Sequence, residues 1–384
     1  MFLHQSLNNI LLPDRIFFKT QEDIIVYQNR RIKEIEKIFP KKFDYTSYHI
    51  KPDKLENSKK ILTLYTSGSS NGVRTAYLYD RPMYKLIENY HWHRILHFNQ
   101  LKAGTVIRFK LARTTDSLNI EGPYQEWATG IKNNVYYVPF NNKTCSANYW
   151  KETFFKIIKL NPSIIYCTPS LYESFADYLE FSFNCPVLFS QEILYPEIRN
   201  KAMTYFNRVI DKMRCWDGGL SFFECRYGTK HINDELSKVE CINGKIYSSD
   251  FFNFAQPFFK YWNGDMGKIT LNQCSCGIFG NIFTEFEGKH IQCLTDREGN
   301  KIPGAMILSN IYSILQRIEK KDFLFQVKQT KDHVFLIFNQ PINNHDYKRL
   351  KEIITKNLKL DVIFQYNPKL FENNFKRLLT VSDL

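Results

Sequence analysis

Between residues 81 and 219 short apolar runs alternate with amphipathic segments, and this alternation constrains the fold more than any other feature of the chain. "RPMYKLIENYHWHRILHF" (81–98) has helical spacing, and "GTVIRFKLA" (104–112) reads as a strand. "YWKETFFKIIKLNPSIIYCTPSLYESFADYLE" (149–180) reads as helix, strand, helix, with Pro162 closing the first helix. "CPVLFS" (185–190) is a further strand, a helix follows through "YPEIRNKAMTYF", and "KMRCWDGG" gives a strand and a turn. Strands separated by helices predict an α/β domain with a largely parallel sheet.

The texture changes near Glu287. "KDFLFQVKQTKDHVFLIFN" (321–339) reads as two strands, "NNHDYKRLKEIITKNLKL" (343–360) as an amphipathic helix and "DVIFQYN" as a last strand. The expected division is an N-terminal α/β domain over 1–287 and a small α+β domain over 288–384. Both fit a chain of 384 residues, in which 43% hydrophobic and 24% charged residues are ordinary for a globular protein.

No stretch approaches the roughly 20 apolar residues of a spanning helix, and "MFLHQSLNNILLPDR" lacks the basic lead and apolar core of a signal peptide. A soluble, cytoplasmic protein without a membrane partner is expected. The net charge of +13 is dispersed and interrupted by acids, as in "NRRIKEIEKIFPKKF" (29–43), and no nucleic-acid-reading motif accompanies it. A solvated surface is expected, not a nucleic-acid partner, and the field also suits an anionic substrate. Nine cysteines, an odd number scattered over a long chain, argue for thiols and metal ligands over a disulfide framework.

Three stretches carry chemistry. Cys225 and His231 stand in "ECRYGTKH", and Cys274 and Cys276 in "CSCG". Three thiolates and an imidazole complete a tetrahedral zinc shell with no open position, which makes a structural site; Gly277 lets the backbone curl, and Cys241 is a substitute ligand. "YTSGSSNGVRT" (65–75) follows the apolar run 61–64 with only Thr, Ser and Gly from Thr66 to Ser70. Such a loop either cradles phosphate with backbone N–H groups and hydroxyls or is an ordinary turn. "FFKYWNGDMGKI" (258–269) reads as a strand entering a turn that holds Asp265 between Gly264 and Gly267. Asp265 could accept from two ribose hydroxyls, or the N-G-D could be a plain turn. His93 and His97 share a helix face, with no third metal ligand evident.

Together these stretches resemble the adenylate-forming superfamily of acyl-CoA synthetases and adenylation domains, over roughly residues 60–384. The chain looks most like the phenylacetate-CoA ligase group and its branch named for capsular polysaccharide proteins. "YTSGSS" is similar to the family's phosphate loop, "ECRYGTKH" with "CSCG" to that group's zinc pattern, and "YWNGDMG" to its ribose motif. "FTEFEGKHIQCLTDREGNKI" (283–302) with "FLFQVKQ" (323–329) resembles its hinge and the start of its mobile lid.

The resemblance implies a large adenylate-forming domain, a small mobile lid, and activation of an aryl or other small organic acid by ATP. The acyl-adenylate would pass to CoA, a carrier-protein thiol or an amine; a homodimer is one compatible assembly. Thr66, Ser67, Gly68, Ser69 and Ser70 would hold phosphates, Asp217, Gly218 and Gly219 the adenine, and Asp265 the ribose. Glu224 stands in for the family's Mg²⁺-associated glutamate, and Gly288 with Lys289 for its hinge. Departures are Asn71 in the phosphate loop and Asn374 where the family's catalytic lysine stands, with Lys376 two residues on in "FENNFKR". An amide supplies no cation. Lys376 is therefore the candidate catalytic lysine, and the alternative is a zinc-containing relative that serves as a non-catalytic binding or partner protein.

Overall fold

The computed structural model describes residues 18–38, 61–65, 76–111, 118–128, 131–140, 145–215, 217–289, 294–299, 301–302, 325–368 and 378–381. Helix α1 (Gln21–Ile38) comes first, then β1 (Ile61–Tyr65) pairs antiparallel with β2 (Ala76–Asp80). Asp80 caps α2 (Arg81–Phe98): its carboxylate accepts from the Met83 N–H at 3.0 Å. Pro82 sits in the first turn, where its missing N–H would have had no helical partner.

Next come β3 (Thr105–Leu111), the hairpin of β4 (Glu121–Ala128) and β5 (Ile131–Phe140), α3 (Ala147–Lys159), β6 (Ile164–Cys167), α4 (Pro169–Phe175), β7 (Phe183–Phe189), α5 (Pro196–Ala202) and β8 (Phe206–Arg214). Strands β5, β3, β6, β7 and β8 lie side by side and parallel. The chain then continues as β9 (Ser221–Glu224), β10 (Lys230–Ile232), β11 (Ser237–Ile242), β12 (Lys245–Asp250), β13 (Tyr261–Gln273) and β14 (Phe279–Lys289). These extend the same sheet to 12 strands, in the order β11-β12-β13-β14-β10-β9-β8-β7-β6-β3-β5-β4.

The sheet is thus α/β as expected but less parallel. Every pairing from β8 through β9 to β11 is antiparallel. The reason is connection length: after β8 the links are short turns, which cannot make the crossover a parallel pair needs.

Residues alternate between the two faces of the parallel part. Ile107, Ile165, Val187, Phe189 and Val209 pack with Trp150, Phe154, Tyr172, Phe175 and Ile198 of the helices on one side. Val106, Ile164, Leu188 and Ile210 pack with Trp92, Ile95 and Leu96 of α2 on the other. Burial on both faces explains the unbroken apolar runs in the sequence, each such side chain contributing about 1.5–3 kcal/mol.

Helix α2 is also tied to the sheet by a buried ion pair, Arg94 to Glu235 at 2.9 Å, both about 2% exposed. The Tyr90 hydroxyl donates to Glu235, and the Arg94 guanidinium stacks on Phe98 and Phe223 at 4.9 and 5.3 Å. Glu235→Ala strands a buried cation and is expected to cost about 3–5 kcal/mol. Replacing both partners by leucine should recover most of that, a contrast that denaturant unfolding of the single and double variants measures.

The neighbouring Asp234 accepts from the Asn281 backbone and side chain, each at 2.7 Å. Burial, reinforced by Glu235, outweighs those bonds and pushes its pKa up to about 7. The unfolded chain then binds fewer protons than the folded one between about pH 4 and 7, so this group's contribution to stability falls as pH rises through that window. Asp234→Asn should flatten the slope by at most about 1.4 kcal/mol per pH unit, read from urea midpoints at pH 5, 6 and 7.

Beyond β14, β15 (Leu294–Thr295) pairs with β16 (Lys301–Ile302). A four-stranded sheet follows: β17 (Phe325–Gln329), β18 (His333–Phe338) and, after α6 (Asn344–Leu358), β19 (Asp361–Tyr366) and β20 (Leu378–Val381), ordered β19-β18-β17-β20. Its core is its own, built from Phe325, Val327, Leu336, Leu350 and Ile354. The stretch 361–367 is not the last strand as expected, because β20 adds to the far edge, parallel to β17. Tyr195 packs against this core and against the large one. No helix among the described residues is long and apolar enough to cross a membrane.

Candidate functional site

Two places gather the chemistry-bearing residues. The first is built from two similar tight turns. In each, a cysteine N–H donates to the carbonyl four residues on: Cys225 to Thr229 and Cys274 to Ile278, both at 2.9 Å. In each, a glycine N–H donates back to the cysteine carbonyl, Gly228 to Cys225 and Gly277 to Cys274, also at 2.9 Å. Those glycines have φ of +77° and +98°, which other residues adopt only under strain. The turns close the β9–β10 and β13–β14 hairpins, and β10 pairs with β14, so they stand beside one another.

The outcome is a cluster of Cys225, His231, Cys274 and Cys276 with all ligand atoms within 4.8 Å of each other, the only such group among the described residues. Cys225 Sγ is 3.8 Å from Cys274 Sγ, and Cys276 Sγ is 3.3 Å from His231 Nε2. A tetrahedral zinc with bonds of about 2.3 Å to sulfur and 2.0–2.1 Å to nitrogen requires separations of roughly 3.8 and 3.5 Å. A disulfide would need about 2.05 Å. The residues therefore fit zinc. The neighbouring Cys276 thiol, aided by His231 and opposed by burial, holds the Cys225 thiol well below the usual thiol range. The Cys274 thiol donates to Thr229 Oγ1 at 3.4 Å, a partner that the spacing of Cys and His did not reveal. Cys241 lies on β11, outside the cluster, with its thiol on the Gly267 carbonyl.

Glu224 directly precedes Cys225. Its Oε2 accepts from Arg199 at 2.7 Å and from the Asp211 N–H at 2.8 Å. Burial raises its pKa against Arg199. It sits at the end of β9 away from the turn described next.

The second place is the 215–220 turn at the carboxyl end of β8, closed by Cys215 N–H to the Leu220 carbonyl at 2.8 Å. Asp217 leads into Gly218 and Gly219, at φ +87° and +73°. A Cβ on Gly218 would meet Ser248 Oγ at 2.6 Å and Tyr261 at 3.1 Å, and one on Gly219 would meet the Asp250 carboxylate at 2.6 Å. Both glycines are demanded by conformation and by space. Cys215 Sγ reaches Asp265 Oδ2 at 3.6 Å, which brings this turn and the acidic motif together.

Asp265 lies not in a turn, as the sequence suggests, but inside β13. Gly264 at φ +95° and a bulge after Met266 absorb the irregularity within a continuous strand. Its N–H donates to Asn263 Oδ1 at 3.0 Å, and its carbonyl accepts from Trp262 Nε1 at 3.1 Å. Directly across the strand pair from Asp265 stands Lys289, and Met266 faces Gly288, whose φ is +78°. Gly288 and Lys289, the residues expected to form a hinge, thus neighbour the acidic motif.

The Thr66–Ser70 loop and Lys376 lie outside the described residues. The flanks of the loop are defined: Tyr65 pairs with Ala76, and the Tyr77 hydroxyl is 3.4 Å from that of Tyr261, four residues before Asp265 on the same strand. Gln256 Oε1 accepts from the Leu78 N–H at 2.8 Å. His91 of α2 is buried, its Nδ1 2.8 Å from Asn233 Nδ2, and among the described residues His93 and His97 belong to no metal-ligating group.

No protein-family model matches the chain, and no curated protein sequence does. Among solved structures it is similar to 2-hydroxyisobutyryl-CoA ligase in the postadenylation state with 2-HIB-AMP, at a TM-score of 0.61 and 13% identity over 95% of this chain and 82% of that one. It is similar to the fatty acyl-adenylate ligases of E. coli and L. pneumophila, at 0.52 and 12% over 80% and 65% of the two chains. It is also similar to o-succinylbenzoate CoA synthetase from Bacillus subtilis with its acyl-adenylate intermediate, at 0.51 and 10% over 80% and 65%. At these identities the likeness is one of fold: the chain has the adenylate-forming domain fold of acyl-adenylate and acyl-CoA ligases.

Proposed function

We propose that this chain activates a carboxylic acid with ATP and ligates the acyl group to a thiol or an amine, as a relative of the phenylacetate-CoA ligase branch. One observation carries the reading: in a chain with this fold, the Asp217–Gly219 turn, Asp265 and the β1–β2 hairpin flanking the hydroxyl-rich loop converge on Tyr261 and Cys215. That point lies beyond the carboxyl end of the parallel strand β8, the end of the sheet at which open α/β folds bind ligands.

In this reading Asp265 accepts from the ribose hydroxyls and the Asp217–Gly219 turn flanks the adenine. Thr66, Ser67, Gly68, Ser69 and Ser70 donate to the phosphates. An oxygen of the acid's carboxylate attacks the α-phosphorus; a P–O bond forms, and the bond to pyrophosphate breaks. A thiol of CoA or a carrier protein, or an amine, then attacks the acyl carbon and AMP leaves. Lys376 would offer the cation during the first step, and rotation of the 288–384 domain about Gly288–Lys289 would separate the two steps. Positioning and charge stabilisation supply most of the acceleration.

Mg²⁺ would travel with the nucleotide phosphates, whose charge it neutralises. Zinc, held by Cys225, His231, Cys274 and Cys276, would supply a crosslink with no open position for water.

The test is pyrophosphate release from ATP across aryl and fatty acids. Acid-dependent release with at least one is the expected result. No release with any acid, together with no measurable ATP binding, overturns the proposal.

A further inference from the structure

On the α2 face of the parallel sheet four of the five strands change character at one level, β7 excepted. Val106 on β3 is followed two residues on by Arg108, Ile164 on β6 by Tyr166, Val135 on β5 by Tyr137, and Ile210 on β8 by Lys212. Residues two apart on a strand share a face. Register sets Tyr137, Arg108 and Tyr166 side by side across three strands. The aliphatic layer therefore gives way, toward the carboxyl ends, to a layer of cations and aromatic rings, roofed by Trp92 of α2.

Lys212 is the decisive member. It is only 9% exposed, yet among the described residues no carboxylate or other acceptor lies within bonding distance of its ammonium. Its contacts are ring faces: Tyr166 at 5.2 Å and Trp92 at 5.8 Å. Arg108 lies over the same two rings, at 5.8 and 5.7 Å. The carboxylate of the neighbourhood, Glu88, pairs with Arg214, two residues along β8 from Lys212, and also lies within electrostatic reach of Lys212 and Arg108, so three cations share one anion. Two cations against one pair of rings repel each other, and cation–π attraction of about 0.5–2 kcal/mol does not offset the burial of an unpaired ammonium. One carboxylate among three cations leaves the layer with excess positive charge, and a site for an anion leaves its neutralisation to the ligand.

We propose that the acid this chain activates carries a second anionic group, a dicarboxylic acid being the simplest case, and that Lys212 binds that group beside Arg108, Trp92 and Tyr166. This rests on the adenylation reading, in which the reacting carboxylate lies at the nucleotide and the rest of the acid extends beneath α2. The rings give a planar or apolar spacer its flanks, and the ammonium fixes the far end.

The experiment compares matched pairs, glutarate with valerate and phthalate with benzoate, in pyrophosphate release and in binding to the ATP-free protein by calorimetry. Wild type should favour the diacid of at least one pair. Lys212→Met should shift the diacid-to-monoacid ratio of kcat/KM by about 100-fold toward the monoacid, the loss typical of removing one partner of a buried charge pair. Lys212→Arg, which keeps the charge, should keep the ratio within about fivefold, and a melting curve shows whether each variant folds. Release with monoacids alone, or an equal loss on both acids in Lys212→Met, overturns the inference and leaves adenylation standing. Diacid binding that Lys212→Met abolishes, without release from any acid and without measurable ATP binding, supports the site and sinks adenylation. No diacid binding by wild type and no diacid turnover overturns the inference.

Discussion

Stripping metal from the purified protein with a chelator is expected to lower its unfolding midpoint by on the order of 10 °C. Cys225 and Cys274 lie 49 residues apart in sequence and 3.8 Å apart at sulfur. A crosslink closing a loop of that length removes about 4 kcal/mol of unfolded-state entropy by the same arithmetic as a disulfide. For a domain of 150–250 residues each 1 kcal/mol is worth about 2–4 °C. The four ligand atoms sit where β9–β10 meets β13–β14, the hairpins that carry the sheet from its parallel core to the strand bearing Asp265. Loss of the ion should therefore loosen the proposed nucleotide site as well as the fold. Elemental analysis should find one zinc per chain, absent in Cys274→Ala. Cys241→Ser, outside the cluster, should keep both the metal and the midpoint. A midpoint indifferent to chelation, with no metal found, rules out the crosslink.

The sequence reveals some elements of this molecule well, for identifiable reasons. Helix α2 spans 81–98 as its pattern predicts, because Asp80 and Pro82 punctuate its start. The strands β3, β6 and β7 are legible because burial on both faces leaves unbroken aliphatic runs. The antiparallel half is not. Strand β13 carries Gly264, Asp265, Gly267 and Lys268, a turn composition whose extended course is imposed by pairing with β12 and β14. Strand β20 is four residues long, and its pairing with β17 is non-local. The Cys/His cluster is readable from the repeated Cys-x-x-Gly, since each glycine marks a turn with the cysteine at its start. Lys212 is not readable, because in "VIDKMR" it looks like any solvated lysine on an alternating strand. Only the packing of Trp92 and Tyr166 around it shows that it is buried.

Asp265→Ala is expected to lower kcat/KM for ATP by roughly 100- to 10,000-fold. Two hydroxyl-to-carboxylate hydrogen bonds are at stake, each worth about 1.5–3 kcal/mol when the acceptor is charged. The loss should fall on nucleotide affinity, because the ribose contacts exist before and during phosphoryl transfer alike, and uniform binding appears in KM. Asp265→Asn should recover part of it by keeping one acceptor oxygen. Cys215→Ala, which removes only the thiol 3.6 Å from that carboxylate, should cost less than about tenfold. Calorimetry of ATP binding, alongside acid-dependent pyrophosphate release, separates affinity from turnover. The comparison has a sharp failure mode. If Asp265→Ala binds ATP as wild type does while remaining folded, the carboxylate is not at the ribose. The convergence of the Asp217–Gly219 turn with β13 would then be packing alone, and the adenylation reading would lose the contact that anchors it.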